Sequence, residues 1–260
     1  MGGCGMNLLA IESATDMVGV ALLDDDGASA ERSHMGGRAH AELLVPAIEE
    51  VCAVSGRVVG DLDHIAVDIG PGLFTGLRVG VATAKALAQA LDIGLVGVSS
   101  LDVLAAAAAE RQGNEERTTV VSVVDARRGE VFAAAYHFRP GAEPVDPASV
   151  REDRLEPMKP AALSEWVVGL AERGPVTVVG DGALRYIELL SPHHSVDLDW
   201  AESLAAPPPL VLARLAVARL AAGMPATSAT ELVPDYRRAA DAKINWEQRS
   251  PARPARPARP

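Results

Sequence analysis

The chain has 260 residues, of which 48% are hydrophobic and only 3% aromatic, and its formal net charge is −11 at pH 7. This length allows one large domain or two modest ones, with a core built mainly from Ala, Val and Leu. The acidic balance argues against a large nucleic-acid surface, because phosphate binding requires clustered Lys and Arg.

The cysteines and the apolar segments predict a soluble, cytoplasmic chain. Cys4 and Cys52 are too few for a disulfide framework or a metal site. No basic segment followed by an apolar core opens the chain, so we expect no signal peptide. The most apolar helical segments, residues 79–91 and 210–222, are too short and too charged to span a membrane.

Short apolar runs alternate with helical patterns through the first half of the chain. Residues 8–12 (LLAIE) suit a buried strand. Leu44, Ile48 and Val51 recur at helical spacing, and Pro46 predicts a kink or a first turn there. The predicted elements are strands over 8–12, 17–23 and 28–35, a helix over 40–52, a strand over 64–69, a helix over 75–91, a strand over 95–98 and a helix over 101–110.

The second half repeats the strand–turn–strand pattern with which the chain opens. Residues 119–125 (TVVSVVD) form an apolar strand that ends in an acid, and residues 130–138 return as its hairpin partner. Two copies of one pattern indicate a duplicated fold. We also expect a strand and a glycine turn within 175–182, and helices over 184–190 and 210–222.

These patterns divide the chain into two lobes and a tail. A polar stretch at 112–117 marks the boundary, so residues 1–111 form the first lobe and residues 112–238 the second. We expect the last helix to pack back on the first lobe. Residues 239–260 end in SPARPARPARP, which has no large apolar residue and is predicted to be a disordered tail.

A glycine loop lies between the strand at 64–69 and the helix at 75–91. The sequence DIGPGLFTGLRVGVATAK is not a Walker A motif, because Leu77 and Arg78 follow Gly76 where Lys and Ser or Thr are required. The dinucleotide-binding spacing of glycines also fails. The loop either launches the helix as a tight turn, the simpler interpretation, or presents the helix N-terminus to a phosphate.

Small residues form a stripe along the helix that follows. Gly76, Gly80 and Ala84 recur every four residues, with Thr83 beside them. Such a stripe lets another backbone approach closely. The neighbour is either the chain's own sheet or a helix of another subunit, and the pattern does not separate these alternatives.

A polar turn follows the first strand. Glu12, Ser13 and Thr15 are interpreted most simply as a capped turn. In a duplicated nucleotide-binding fold, the acid would instead face a metal-bound phosphate.

No spacing of side chains predicts metal or nucleophilic catalysis. His40 begins a helix, but the residue four positions later is Leu44, so a two-histidine helical site cannot form. His193 and His194 are adjacent and diverge on a regular element. No Ser-His-Asp or Cys-His arrangement stands out. We therefore predict no catalytic and no metal-binding residues.

Six segments of the chain resemble the TsaB (YeaZ) family and occur in the family's order over roughly residues 6–238. The glycine segment GPGLFTGLRVG at 70–80 is the most specific of them. The other segments are residues 9–14 with the strand that follows at 17–23, HAELLVP at 40–46, VSSLDVLA at 98–105, DARRGEVFAA at 125–134 and PDYRR at 234–238.

The resemblance implies an α/β fold of the actin-like ATPase (ASKHA, ribonuclease H-like) type, with two related lobes. It also implies a non-catalytic scaffold and activator in the formation of tRNA N6-threonylcarbamoyladenosine. The chain would pair with the catalytic paralogue TsaD, help recruit the ATPase TsaE and contact tRNA only indirectly. The paralogue carries a His-x-x-x-His metal site, and the lone His40 fits the non-catalytic branch.

The resemblance places the partner contact on the helices at 40–52 and 75–91. A homodimer would use the same helices when the paralogue is absent. The implied interface residues are His40, Leu43, Leu44, Ala47, Ile48, Val51, Gly76, Val79, Gly80, Thr83, Ala84 and Leu87.

ATP or ADP, if bound, is expected at the cleft between the lobes or at the subunit interface. Two departures from the family bear on this expectation: Leu73 stands where a Ser is usual, which removes a hydroxyl, and the first acid is Glu12 rather than the commoner Asp. The candidate nucleotide or phosphate residues are Glu12, Ser13, Thr15, Gly70, Gly72 and Thr75.

Two other functions remain as alternatives. A small-molecule kinase or ATPase of the same fold predicts magnesium-dependent ATP turnover by this chain alone, but the phosphate loop is weak and no catalytic base is evident. A glycoprotease-like peptidase would need the metal pair or nucleophile that the sequence does not provide.

Overall fold

The computed structural model describes residues 6–24, 27, 29–36, 39–113, 118–141, 150–193 and 195–237. Their first half forms a five-stranded sheet in the order β3-β2-β1-β4-β5. A short 3-10 turn covers Val59–Asp61. The elements are β1 (Leu8–Glu12), β2 (Met17–Leu23), β3 (Ser29–Met35), α1 (His40–Val54), β4 (His64–Gly70), α2 (Phe74–Leu91), β5 (Gly94–Ser99) and α3 (Ser100–Gln112).

The second half forms another five-stranded sheet, in the order β10-β9-β6-β7-β8. Its elements are β6 (Thr118–Arg127), β7 (Glu130–Phe138), β8 (Val150–Met158), α4 (Pro160–Ala171), β9 (Val176–Val179), α5 (Asp181–Arg185), α6 (Ile187–Leu190), β10 (Val196–Asp197) and α7 (Pro209–Ala221).

The two sheets share one topology. In each sheet, the first strand pairs antiparallel with the second and parallel with the fourth, and the third and fifth strands complete the edges. This repeat confirms the predicted duplicated α/β fold with two related lobes. It also explains the similar strand–turn–strand patterns, because each lobe opens with the same hairpin.

The core between the sheets is built largely from small residues. Helix α3 buries a run of five alanines at positions 105–109, and α7 packs on β1 and β2 of the first sheet. The approach of α7 is close at Gly19, where a Cβ atom would lie 2.4 Å from Cγ of Pro209. One cluster of buried residues therefore joins strands of both sheets through α3 and α7.

Some elements differ from the sequence predictions. The single helix expected over 184–190 is two short helices, α5 and α6, because the backbone leaves the helical region at Tyr186 (φ −114°, ψ 27°). Strand β8 and helix α4 were not predicted. The predicted tail at 239–260 and Cys4 lie outside the described residues. Within the described part of the chain, no helix is both long and apolar enough to cross a membrane.

Candidate functional site

Two acids meet at the carboxyl ends of the central strands of the first sheet. Glu12 ends β1, and Asp68 lies near the end of β4. The parallel register pairs Ile11 with Val67, so the next residue on each strand is an acid. Both acidic side chains are fully buried.

Each carboxyl group has one oxygen with protein donors. Glu12 Oε1 accepts a hydrogen bond from the backbone N–H of Ala14 at 3.0 Å. Asp68 Oδ1 accepts from the backbone N–H of Gly70 at 2.6 Å and from the hydroxyl of Ser100 at 2.7 Å. The other oxygens, Glu12 Oε2 and Asp68 Oδ2, are buried without a protein N–H or O–H donor.

A proton on one of the two carboxyl groups would give these two oxygens a hydrogen bond to each other. Burial, and then the negative charge of Asp68, raise the pKa of Glu12 well above its ordinary value. The pKa of Asp68 is also raised, because the effect of burial outweighs the opposing effect of a hydrogen bond from Glu12. We assign the proton to Glu12, because two buried carboxylates cannot both be ionised side by side. On this assignment Glu12 donates a hydrogen bond to Asp68, and the pair links β1 to β4.

The polar turn after β1 is occupied by contacts within the chain. The hydroxyl of Ser13 donates to the carbonyl oxygen of Gly76 at 2.9 Å, and the hydroxyl of Thr15 donates to Glu12 Oε1 at 3.2 Å. His40 Nε2 donates to the carbonyl oxygen of Thr15 at 2.9 Å. The bonds of Ser13 and His40 join the turn to the starts of α2 and α1, and the bond of Thr15 closes the turn on itself.

The glycine loop packs directly on the same turn. The N–H of Leu73 donates to the carbonyl oxygen of Ala14 at 2.6 Å, and a Cβ atom on Gly72 would lie 2.1 Å from that oxygen. Gly70 is buried and has a φ of +98°, which favours glycine. The loop is thus a tight turn that launches α2, as the simpler interpretation predicted.

The structure places most of the predicted phosphate residues inside the chain. Glu12, Ser13 and Thr15 are buried and directed into the chain, so as placed they cannot touch a phosphate. Gly70 and Gly72 serve the packing of the loop, and only Thr75 is exposed. Nucleotide binding at the lobe cleft or at a subunit interface stays a prediction.

The second lobe carries an equivalent pair of acids. Asp125 lies near the end of β6, and Asp181 follows β9 and begins α5. Asp181 Oδ1 accepts a hydrogen bond from the backbone N–H of Asp125 at 2.8 Å. Burial raises the pKa of Asp181 to about 6. The Asp125 carboxylate itself lies 2.9 Å from Arg185 Nη1 and 3.2 Å from Arg127 Nη1.

Arg127 connects the two lobes. Its Nη2 atom lies 3.2 Å from both carboxylate oxygens of Asp16, in the turn between β1 and β2. Both side chains of this bridge are about half exposed. The turns that end the central strands of the two lobes therefore face each other across an ion pair.

The structure places the predicted interface residues mainly on the inner faces of α1 and α2, and their contact with a partner stays a prediction. Gly76 and Gly80 face Ser13, because a Cβ atom would lie 2.0 Å from its carbonyl oxygen and 2.1 Å from its Oγ, respectively. The small-residue stripe therefore packs on the chain's own first lobe. Eight of the predicted contact residues are buried within the chain, namely His40, Leu44, Ala47, Ile48, Val51, Gly76, Gly80 and Ala84. Four more are half-buried, namely Leu43, Val79, Thr83 and Leu87.

The opposite faces of α1 and α2 are exposed. Alanines 82, 86 and 90 recur every four residues on the outer face of α2, and Val45 and Val54 are more than half exposed on α1. The helices can meet a partner through these residues, which the sequence pattern did not single out.

Sequence reasoning missed the acid–arginine contacts between the turns. The motif DARRGE was noted at 125–130, but the contacts of Asp125 with Arg185 and of Arg127 with Asp16 join distant segments. The available signal was the repeat itself, since an acid ends the first strand of each lobe. Among the described residues, no group of three or more His, Cys, Asp or Glu side chains could hold a metal ion.

Proteins similar to this chain act in one tRNA modification pathway. A family model described as "TsaD: tRNA N6-adenosine threonylcarbamoyltransferase" matches residues 31–152. The tRNA threonylcarbamoyladenosine biosynthesis protein TsaB of Bacillus subtilis is 31% identical over 243 residues, which are 93% of this chain and 98% of that protein. The TsaB protein of Escherichia coli is 35% identical over 131 residues, or 50% of this chain and 55% of that protein.

Solved structures point to the same family. The chain resembles YeaZ from Pseudomonas aeruginosa with a TM-score of 0.68 and 25% identity, over 88% of this chain and 99% of that one. A second structure, an uncharacterized protein from the same organism with similarity to peptidase YEAZ, gives a TM-score of 0.70 and 26% identity, over 90% of this chain and 100% of that one.

Proposed function

Because this chain belongs to the TsaB (YeaZ) family, we propose that it is a non-catalytic subunit in tRNA N6-threonylcarbamoyladenosine formation. It pairs with a TsaD-like catalytic paralogue, holds that paralogue in an active form and helps recruit a TsaE-like ATPase. The observation that carries this proposal is the similarity to a TsaB protein over nearly the whole of both chains.

The outer faces of α1 and α2 support the pairing. Their inner faces are already used in the first-lobe core, while alanines 82, 86 and 90 leave a narrow exposed strip on α2. Small residues let a partner helix approach closely, and a stable contact of this kind buries about 1,200–2,000 Å² in total. A homodimer of this chain would use the same strip, and light scattering on the purified chain measures that state directly.

The state of the first acid pair supports a non-catalytic role. An acid that binds a metal-bound phosphate must be ionised and accessible, whereas Glu12 is buried and bonded to Asp68. The hydroxyls of Ser13 and Thr15 are also engaged within the chain. The catalytic groups are therefore expected on the paralogue.

Reconstituted transfer tests the proposal. The mixture holds the catalytic paralogue, the ATPase partner, tRNA, ATP and the adenylate-forming enzyme with its substrates, with this chain included or omitted. We expect modified tRNA only when the chain is present, and no ATP turnover by the chain alone. Transfer that is unaffected by omission contradicts the subunit role, and magnesium-dependent ATP turnover by the isolated chain favours a kinase or ATPase instead.

A further inference from the structure

An exposed aromatic–arginine cluster lies at the N-terminal end of α2. Phe74 and Tyr236 have ring centroids 5.4 Å apart, and each residue is 45% exposed. The guanidinium carbon of Arg78 lies 3.8 Å from the Phe74 ring centroid. Three side chains from two distant segments thus form one surface feature, called the aromatic cluster below.

The segment that carries Tyr236 is fixed on the first lobe. The backbone N–H of Asp235 donates to the carbonyl oxygen of Ile69 at 2.8 Å. Arg237 is paired with Asp235 at 2.7 Å, and its side chain is only 7% exposed. The backbone beside Tyr236 is therefore anchored on the first lobe, and the ring rests against Phe74, which lowers the entropy lost on binding.

The exposure of these rings is unusual for this chain. The whole sequence contains three Phe and three Tyr residues, and one of each is placed here in contact with water. Val233, three residues before Tyr236, is 67% exposed. Tyr, Arg and other large side chains of this kind dominate the energy of protein–protein contacts when a partner buries them.

The charges of the aromatic cluster point to the chemistry of its partner. Arg78 has no ion-pair partner among the residues that the structure describes, whereas the nearby Arg237 is neutralised by Asp235. One unpaired cation beside two rings fits a protein surface with a carboxylate next to an apolar side chain. It does not fit an RNA backbone, which needs a track of cations that a chain of net charge −11 does not provide here.

The aromatic cluster continues the exposed strip of α2. Phe74, Arg78 and Ala82 are each four residues apart and all are exposed, so they lie on one side of the helix. Ala86 and Ala90 extend this strip as it winds around α2 by about 40° per step. A partner helix that contacts Ala82 reaches the two rings and the guanidinium at the N-terminal end of the strip.

We infer that Phe74, Arg78 and Tyr236 anchor the contact with the TsaD-like paralogue, which places a carboxylate against Arg78 and an apolar side chain against the rings. This inference rests on the proposed function. It adds a segment near the end of the chain, at Tyr236, to a surface otherwise formed by two helices of the first lobe.

Titration of the purified paralogue with variants of the full chain tests the inference. We expect F74A, Y236A and R78E each to weaken binding at least tenfold, and R78K to bind between wild type and R78E. The matched controls are L189A, which truncates an exposed apolar residue of the second lobe, and R173E, which reverses an exposed charge there. Both controls should bind within twofold of wild type.

The outcomes separate the two proposals. A wild-type chain that does not bind the paralogue contradicts the proposed function. Wild-type binding that F74A, R78E and Y236A leave unchanged overturns the inference alone. The thermal unfolding midpoint of each variant is measured as a control. A midpoint equal to that of the wild type shows that weakened binding comes from the lost side chain and not from loss of the fold.

A second arm titrates fluorescently labelled tRNA with the isolated chain. We expect no binding at physiological salt. If the wild type binds tRNA and F74A and Y236A do not, while all variants pair normally with the paralogue, the aromatic cluster is an RNA platform and the inference is overturned.

Discussion

The two lobes place a pair of acids at equivalent strand ends but neutralise them differently. In the first lobe, Glu12 and Asp68 are fully buried, and burial raises the pKa of both carboxyl groups. In the second lobe, arginines hold the Asp125 carboxylate, and Asp181 accepts a backbone hydrogen bond. The same strand-end position can therefore have its negative charge compensated by a proton or by a guanidinium group.

A single position explains much of this difference. In both lobes the N–H two residues beyond the acid donates to its carboxylate, from Ala14 to Glu12 at 3.0 Å and from Arg127 to Asp125 at 2.9 Å. The turn is the same, but its side chain is a methyl group in one lobe and a guanidinium in the other. The described residues place no cation against the first pair, so burial favours a proton on Glu12.

The largest expected effect comes from adding a side chain where α2 packs tightly on the turn after β1. In Gly80→Leu, the new side chain would collide with Ser13 Oγ, which lies 2.1 Å from the Cβ position. We expect a loss of about 3 kcal/mol in the free energy of unfolding, measured by urea denaturation. Ala86→Leu, on the exposed face of the same helix, is the control and should fold normally. Equal stability of the two variants would contradict the packing of α2 described above.

The pH dependence of stability separates the second pair from the first. Because the pKa of Asp181 is raised from 3.8 to about 6, the folded state binds this proton more tightly than the unfolded state. The stabilisation that this proton gives to the folded state is fully present below about pH 3.8. It is lost as the pH rises through 6, which lowers the free energy of unfolding by roughly 3 kcal/mol. Asp181→Asn should flatten the unfolding free energy between pH 4 and 7. An unchanged profile would show that Asp181 does not hold the proton.

Matched amide substitutions should act in opposite directions in the two lobes. Glu12→Gln removes one of two adjacent buried carboxyl groups and keeps a hydrogen-bond donor beside Asp68, so we expect equal or greater stability at pH 8. Asp125→Asn removes a buried charge that accepts bonds from Arg127 and Arg185, so we expect a loss of about 1–3 kcal/mol. Both free energies come from urea titrations at pH 8. A large loss in Glu12→Gln would mean that the first pair is not protonated.

The smallest effect is expected at the bridge between the lobes. Asp16→Asn removes the contact of Arg127 with the first turn, but both side chains are about half exposed. An exposed ion pair contributes less than about 1 kcal/mol and is screened by salt. We expect a small loss of unfolding free energy at low salt and none in 1 M NaCl. A loss that persists at high salt would indicate packing rather than charge.

Much of the fold was predictable from the sequence. The duplicated hairpins, the glycine turn and the helix of the first lobe follow from apolar runs that end in turn residues, and the structure confirms them. Strand β8 (VREDRLEPM) was missed because it is mostly charged and its few apolar residues do not alternate with polar ones. Helix α4 had a readable signal, with a proline at its start and Leu163, Val167 and Leu170 on one face.

The candidate site was only partly predictable. Glu12 was identified, but its partner Asp68 is 56 residues away and is brought near only by the parallel pairing of β1 and β4. The stripe of Gly76, Gly80 and Ala84 was visible in the sequence, yet its neighbour was not. Periodicity shows which residues share a face and leaves open whether that face meets the chain's own sheet or a partner.

The most direct test of the pairing surface is the affinity of the chain for a TsaD-like paralogue, measured by calorimetry with two arginine variants. Ala86→Arg places a bulky cation on the exposed strip of α2, and Ala162→Arg makes the same change on the exposed face of α4 in the second lobe. We predict that Ala86→Arg weakens binding at least tenfold while Ala162→Arg binds like wild type. Undiminished binding by Ala86→Arg would contradict a contact through the outer face of α2.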